Sequence, residues 1–446
     1  MSGMPGTIRV SFCPVGLTEK AEVNRVDKPL IFEKPHGVKD YLPPWARRKR
    51  ELEATCQRVF RRWGYQELIT PTMEFLETFQ NGALRSGEDR VFKMIDRSGR
   101  TVVLRPDMTA PIARVVASEL AAEPLPIRLS YTAAIFRRQE RVAGRDAEFT
   151  QAGIELIGDG SVDADAEVIA LAVRTLEEAG VRVFRLAVGD VGFLEGLFAE
   201  HAGEPLAERL RSHLVKQDFV GFEQELEDAD LPEANRETLR AVPGLRGGPE
   251  VVERARALTT HPRARRSLDR MWELWGIIGL YGVSHRVQID LSLMLDLSYY
   301  TGMIFEGYAS GVGFPVCAGG RYDELLERFG RRSPATGFMI GVERVLDALE
   351  REAPSPPVVV PRIHYVPQRR QEAVAFALWL REKGWNVALE CHPAGSGEGQ
   401  AGSLQGRDAD GEPVFWLDGG GTSGSAEMAG WFEEWRRSGQ REGALR

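Results

Sequence analysis

Along residues 44–64, PWARRKRELEATCQRVFRRWG, the apolar side chains Leu52, Cys56, Val59, Phe60 and Trp63 recur at helical spacing, and Gly64 supplies a stop. The pattern predicts an amphipathic helix, led in by the turn-rich KPHGVKDYLP (34–43). YQELITP (65–71) reads as a strand ending at a proline, and VFKMIDRSGRTVVLRPD (91–107) as a hairpin turning at Arg97-Ser98-Gly99-Arg100. TAPIARVVASELA (109–121) has a helical period. Strands are predicted within 127–139 and 145–158, joined by the polar loop 140–145. VDADAEVIALAVRTLEEAG (162–180) is a helix with acids in its first turn, as the helix dipole prefers. VFRLAVGD (183–190) is a strand. Residues 191–281 keep a helical period with a break at VPGLRGGPE (242–250), the pattern of an inserted helical module. Strands resume at 285–297, 303–309 and within 314–330, and a helix follows at 340–350.

Two stretches bound this body. Residues 1–32 are mixed in polarity and read as an N-terminal arm, and REAPSPPVVVP (351–361) is a proline-rich linker. Beyond it, RIHYV, RRQEAVAFALWLREKG, WNVALEC and EPVFWLD predict strand, helix, strand and strand, then a final helix, as a small α/β domain over 362–446. Its Gly-rich stretch 392–411 stands where such a unit would want a helix. Antiparallel strands with helices on one side make residues 33–350 an α+β core, with helical insertion about 191–281.

Composition narrows the function classes. The 446 residues are 43% hydrophobic and 27% charged, the profile of a globular chain. A formal charge of −8 gives no general attraction for a polyanion. The cysteines, Cys13, Cys56, Cys317 and Cys391, have neither disulfide nor zinc spacing and read as reduced cytosolic thiols. No apolar leader core and no run of eighteen apolar residues occurs, so a cytoplasmic protein without a membrane span is expected. No metal or cofactor is expected.

Three constellations carry chemistry. In IFRRQERVAGRDAEFTQAGIE (135–155), period-two alternation lets Arg137, Gln151 and Glu155 converge on one ligand, although taken alone the residues read more readily as a solvated hairpin with an ion pair. In LRPDMT (104–109), Asp107 and Thr109 sit at a strand-to-helix junction, where Asp is a common N-cap. In CAGGRYDELLERFG and PATGFMIGVERV (317–345), glycines at 319, 320, 337 and 341 permit close approach of a backbone or ligand. Neither a Walker A nor a strand-linked GxGxxG is present.

Read in order, Gly-x-x-Asp-x-x-Pro (37–43), Gly-Tyr-x-Glu-x-x-x-Pro-x-x-Glu (64–74), Leu-Arg-Pro-Asp-x-Thr, Phe-Arg…Gly-Arg…Glu-Phe-x-Gln, Tyr-Tyr-Thr-Gly, Gly-Gly-Arg-Tyr-Asp and Gly-x-x-Ile-Gly-Val-Glu-Arg make a series over residues 33–350. The series resembles the catalytic core of class II histidyl-tRNA synthetases. The resemblance implies a six- or seven-stranded antiparallel sheet with flanking helices, dimerisation around residues 40–75, and a pocket for one amino acid. That pocket would hold Asp107, Thr109, Arg137, Gln151, Glu155, Tyr299 and Tyr300.

The activation motifs depart from that family. Its Leu-Val-Arg-Gly-Leu-Asp-Tyr-Tyr reads here Leu293-Met294-Leu295-Asp296-Leu297-Ser298-Tyr299-Tyr300, so Leu295 replaces the arginine that serves the α-phosphate. Such an arginine is worth roughly 10³–10⁵ in rate on a phosphoryl transition state. Gln139, Glu140 and Ala147 replace further charged positions of the phosphate-binding hairpin. The segment 361–446 holds ten basic against twelve acidic side chains, a formal −2, without the excess that an RNA backbone demands. A pocket kept, an activation site dismantled and a degenerate anticodon-binding-like domain resemble the HisZ family of synthetase-like regulatory subunits of ATP phosphoribosyltransferase. The resemblance implies a non-catalytic subunit that activates a short-form catalytic subunit, with L-histidine as feedback effector, in a hetero-octamer built on a core homodimer and without tRNA. The alternative, a divergent histidyl-tRNA synthetase, needs Arg138 or Arg141 to replace the missing cation.

Overall fold

The computed structural model describes residues 33–81, 90–138, 146–295, 299–353, 362–365, 367–391, 404–407, 413–418 and 434–435. These belong to two compact units, one within 27–354 and one reaching from 355 to the C terminus.

The larger unit begins with helix α1 (Pro43–Arg62), which has prolines at its first positions and stops at Gly64, whose φ of 85° favours glycine. Then come β1 (Gln66–Glu67), β2 (Met73–Phe75), α2 (Leu76–Asn81), β3 (Lys93–Ile95), β4 (Thr101–Leu104), α3 (Thr109–Ala117), β5 (Ile127–Phe136) and β6 (Glu148–Ile157). Helix α4 (Val162–Glu178) is capped by Ser161 Oγ, which accepts the Ala164 N–H at 3.2 Å. Strand β7 (Phe184–Asp190) leads into the helical module α5 (Val191–His201), α6 (Glu204–Lys216), α7 (Phe219–Asp228) and α8 (Glu233–Arg240). The module continues as β8 (Arg246–Gly247), α9 (Glu250–Arg256) and α10 (Pro262–Leu280). The unit closes with β9 (Val287–Asp290), β10 (Met303–Ala309), β11 (Cys317–Arg321), β12 (Ala335–Gly341) and α11 (Val342–Glu352).

The main sheet runs β1-β5-β6-β12-β11-β10-β7-β9-β8. Its centre is antiparallel, as the resemblance implies, but the β1/β5 and β7/β9 pairs are parallel, and a two-residue strand at each edge brings the total to nine. Alternation divides its labour. Ala152, Ile154 and Leu156 of β6 face a core built with Leu52, Val59 and Phe60 of α1 and the apolar side of α4. The intervening Gln151, Gly153 and Glu155 face the opposite side, with Leu129, Tyr131 and Ala133 directly across on β5.

Three sequence-predicted elements are shorter than their patterns, each because a polar group takes the backbone elsewhere. The 65–71 strand is only Gln66–Glu67, because the buried Arg105 guanidinium holds the carbonyls of Thr70 and Pro71 at 2.8 and 3.2 Å. The 285–297 strand stops at Asp290, whose Oδ1 accepts the Ser292 N–H at 3.0 Å and turns the chain. The 109–121 helix ends at Ala117, where Arg331 takes the Val116 and Leu120 carbonyls.

The smaller unit holds β13 (Arg362–Tyr365), α12 (Arg370–Glu382), β14 (Ala388–Cys391), β15 (Leu404–Arg407) and β16 (Pro413–Asp418), in sheet order β14-β13-β16-β15. The predicted strands and first helix are there. Strand β15 lies inside the Gly-rich stretch that the pattern gave no element, and most of the predicted last helix lies outside the described residues.

A buried ion pair ties the larger unit's sheet to its helices. Arg321 and Asp165 are each 3% exposed and meet at 2.7 Å, and Arg270 of α10 reaches the other Asp165 oxygen at 3.0 Å. Removing one partner of such a pair costs about 3–5 kcal/mol, because the remaining charge stays buried. Arg321→Met is therefore expected to lower core stability by about that amount in urea unfolding followed by tryptophan fluorescence.

Candidate functional site

On the cavity side of the sheet, β6 and β12 pair so that Glu155 stands opposite Gly337. A Cβ at residue 337 would overlap the Glu155 carboxylate, so glycine here makes room for a buried acid. Glu155 is 3% exposed, and both its oxygens are engaged: Thr109 donates to Oε1 at 2.9 Å and the Tyr322 hydroxyl donates to Oε2. Burial pushes its pKa up to about 7 against these two hydrogen bonds, with Asp107 adding to the rise.

Around this acid lies a cavity of about 150 Å³. A water needs roughly 10–15 Å³ of such space, so there is room for about ten non-hydrogen atoms. All seven expected pocket residues line it: Asp107, Thr109, Arg137, Gln151, Glu155, Tyr299 and Tyr300. Asp107 fills both roles open to it. Its Oδ1 accepts the Ala110 N–H at 3.1 Å at the start of α3, and the side chain also faces the cavity, where burial raises its pKa. Arg137 donates from Nε to the Pro106 carbonyl at 2.7 Å and lies over the Phe149 ring. Gln151 is 2% exposed, yet its amide has no hydrogen bond among the described residues. The Tyr299 and Tyr300 rings are 4.8 Å apart, and Tyr322 stands edge-on to Tyr299 at 5.6 Å.

Leu295 also lines the cavity, placing an apolar side chain beside the acids. Ala147 is buried, and its N–H donates to the Gly37 carbonyl at 2.6 Å. Gly37 has a φ of 80°, and a Cβ there would come 2.6 Å from that of Ala147. The close approach of Ala147 leaves no space for a side chain at residue 37. The altered positions Gln139, Glu140, Asp296 and Ser298, together with Arg141, lie outside the described residues, and Arg138 is exposed.

The family model described as "Histidyl-tRNA synthetase" matches residues 37–345. The ATP phosphoribosyltransferase regulatory subunit of Bacillus licheniformis is 42% identical over 81% of this chain and 92% of its own length. That of Moorella thermoacetica is 46% identical over 73% of this chain and 84% of its own length. A crystal structure described as an ATP phosphoribosyltransferase regulatory subunit/histidyl-tRNA synthetase, from Bacillus halodurans, superposes with a TM-score of 0.75 at 39% identity, covering 82% of this chain and 94% of that one. The chain belongs to the ATP phosphoribosyltransferase regulatory subunit family.

As a member of that family with the synthetase fold, the protein carries three further cavity residues that the sequence motifs left unassigned: Tyr131, Tyr322 and Glu306. Tyr131 is two residues from Ala133 on β5 and shares its face, so period-two reading from Gln151 across the hairpin points to it. Glu306 is the lone charge in the apolar strand MIFEGYA, and the register Glu306–Ala318–Met339 carries it to the cavity face. Among the described residues no group of acids, histidines and cysteines is arranged to hold a metal ion, and no helix is long and apolar enough to cross a membrane.

The raised Glu155 pKa fixes a sign. A carboxyl that holds its proton more tightly when folded stabilises the fold most below its unfolded pKa of about 4.3, and that contribution is lost as pH rises through about 7. Glu155→Gln is expected to flatten the fall in stability between about pH 4.3 and pH 7, read as urea midpoints at four pH values. An unchanged slope would assign the proton to another group.

Proposed function

We propose that this chain is a non-catalytic regulatory subunit that joins a short-form catalytic ATP phosphoribosyltransferase in the cytoplasm, raises its activity and carries histidine feedback, at the first step of L-histidine biosynthesis. The observation that carries the reading is the Gln151 amide, buried at the cavity wall among Asp107, Thr109, Glu155 and Tyr300 with no hydrogen bond among the described residues. Because the amide opens on the cavity, its donor and acceptor sides are both available to a ligand bearing an acceptor and a donor. L-Histidine bears both and matches the cavity in size.

Absence of adenylate chemistry is supported by Leu295 at the cavity wall and by the uncharged Ala147 in the hairpin. Dimerisation through residues 40–75 is supported by Ile69 and Met73, 85% and 56% exposed on that stretch. Within this reading the core homodimer is the base of a hetero-octamer, and residues 362–446 are an anticodon-binding-like domain that no longer engages tRNA, in keeping with the formal −2 of the segment 361–446.

Two measurements test it. The purified chain is expected to catalyse no histidine-dependent exchange of pyrophosphate into ATP, and Leu295→Arg alone is expected not to restore it. Robust exchange would make the protein a synthetase. Mixed with a short catalytic subunit, the wild-type chain is expected to raise transferase activity and confer histidine inhibition, while Gln151→Ala keeps the activation and raises the inhibitory histidine concentration about tenfold. Such coupling is worth about 1–3 kcal/mol and is reciprocal in binding. Equal inhibition with both chains would place the histidine signal elsewhere.

A further inference from the structure

Four tyrosines, at 131, 299, 300 and 322, line the cavity, and Tyr299 packs against both Tyr300 and Tyr322. Tyrosine faces attract organic cations, the more so where water is displaced. Three carboxylates line the same cavity: Asp107, Glu155 and Glu306. Against them stands Arg137, the one basic side chain among the described lining residues. Its Nε is already donated to the Pro106 carbonyl, its plane lies over Phe149, and its charge acts on the Asp107 carboxylate. A ligand carboxylate entering here meets one partly engaged guanidinium and no second cation among the described lining residues, beside acids whose pKa values burial raises. Leu295 offers it nothing. The Gln151 amide opens on the same cavity without a hydrogen bond among the described residues, so it offers a ligand a donor and an acceptor independently of the charges.

We propose that the cavity is an organic-cation site that reads the nitrogen-bearing parts of its ligand and is indifferent to the ligand's carboxylate, so that imidazole-bearing amines without a carboxylate bind as well as the amino acid. This deepens, and rests on, the reading of the cavity as a histidine site. Glu306 then acts as a specificity residue. It stands on the cavity face of β10, three strands from Gln151, and takes the Tyr308 hydroxyl on one oxygen.

The test is calorimetric titration of the full-length chain with three probes: L-histidine, histamine, and imidazole propionate, which keeps the ring and carboxylate but lacks the amine. Histamine is expected to bind within about threefold of L-histidine, and imidazole propionate at least thirtyfold more weakly. Glu306→Gln is expected to weaken both amines about tenfold. Leu295→Arg, which adds a cation at the wall, is expected to create a preference for L-histidine over histamine of about tenfold. Wild-type binding of L-histidine with histamine thirtyfold weaker, or with imidazole propionate equally tight, overturns the proposal and leaves the histidine site standing. No binding of any probe by the wild-type chain overturns both.

Discussion

A carboxylate seated inside a β-sheet is the constraint around which the core is arranged. Glu155 has neighbours on both sides of its strand, so its side chain needs an empty position across the ladder and donors for both oxygens. Gly337 supplies the space, and Thr109 from the start of α3 and Tyr322 from beyond β11 supply the donors. Each comes from a different element, so β6, β12, α3 and the turn after β11 are held in one register by one acid. A slip of one residue would carry Glu155 into the apolar core on the other face.

The same alternation explains why arginines of similar motif standing have different uses. Arg321, in Gly-Gly-Arg-Tyr-Asp, turns away from the cavity side to Asp165 of α4 and is sealed there. Arg105, in Leu-Arg-Pro-Asp, is spent on the Thr70, Pro71 and Ala134 carbonyls. Arg137 alone of the three lines the cavity. The cavity is left rich in acids and poor in cations, a balance that favours an ammonium or imidazolium group over a triphosphate.

Much of this was legible in the sequence, for identifiable reasons. Helices such as α1 and α4 combine apolar period with capping or stop residues, and both end within two residues of the pattern. The hairpin residues Gln151 and Glu155 share a face because strand period is two, which needs no tertiary information. What stayed hidden depends on contacts distant in sequence. The Asp290–Ser292 turn interrupts an apolar run that reads as one strand, and Arg105 removes carbonyls from a strand thirty-five residues earlier. The cavity role of Glu306 follows only once the β10–β11–β12 register is known. Gly337 looks in sequence like any strand glycine until the acid opposite it is placed.

Consecutive strand residues point to opposite faces, and this gives the cavity a mechanical neighbour. Gln151 faces the cavity, while the N–H of the adjacent Thr150 donates to Glu343 of α11 at 2.9 Å. Glu343 also pairs with Lys49 of α1 at 3.0 Å and accepts the Tyr41 hydroxyl at 3.1 Å. Lys49 in turn pairs with Glu53 one helical turn on. A shift of β6 at Gln151 is therefore also a shift at the junction that anchors α1 and the segment before it. Packed interiors resist continuous deformation, so such a junction holds its arrangement or exchanges it for another. A ligand moves that equilibrium only by its difference in affinity for the two arrangements. The cavity and the α1 surface thus share one strand, with Gln151 on the cavity face and Thr150 bonded to the residue that anchors α1.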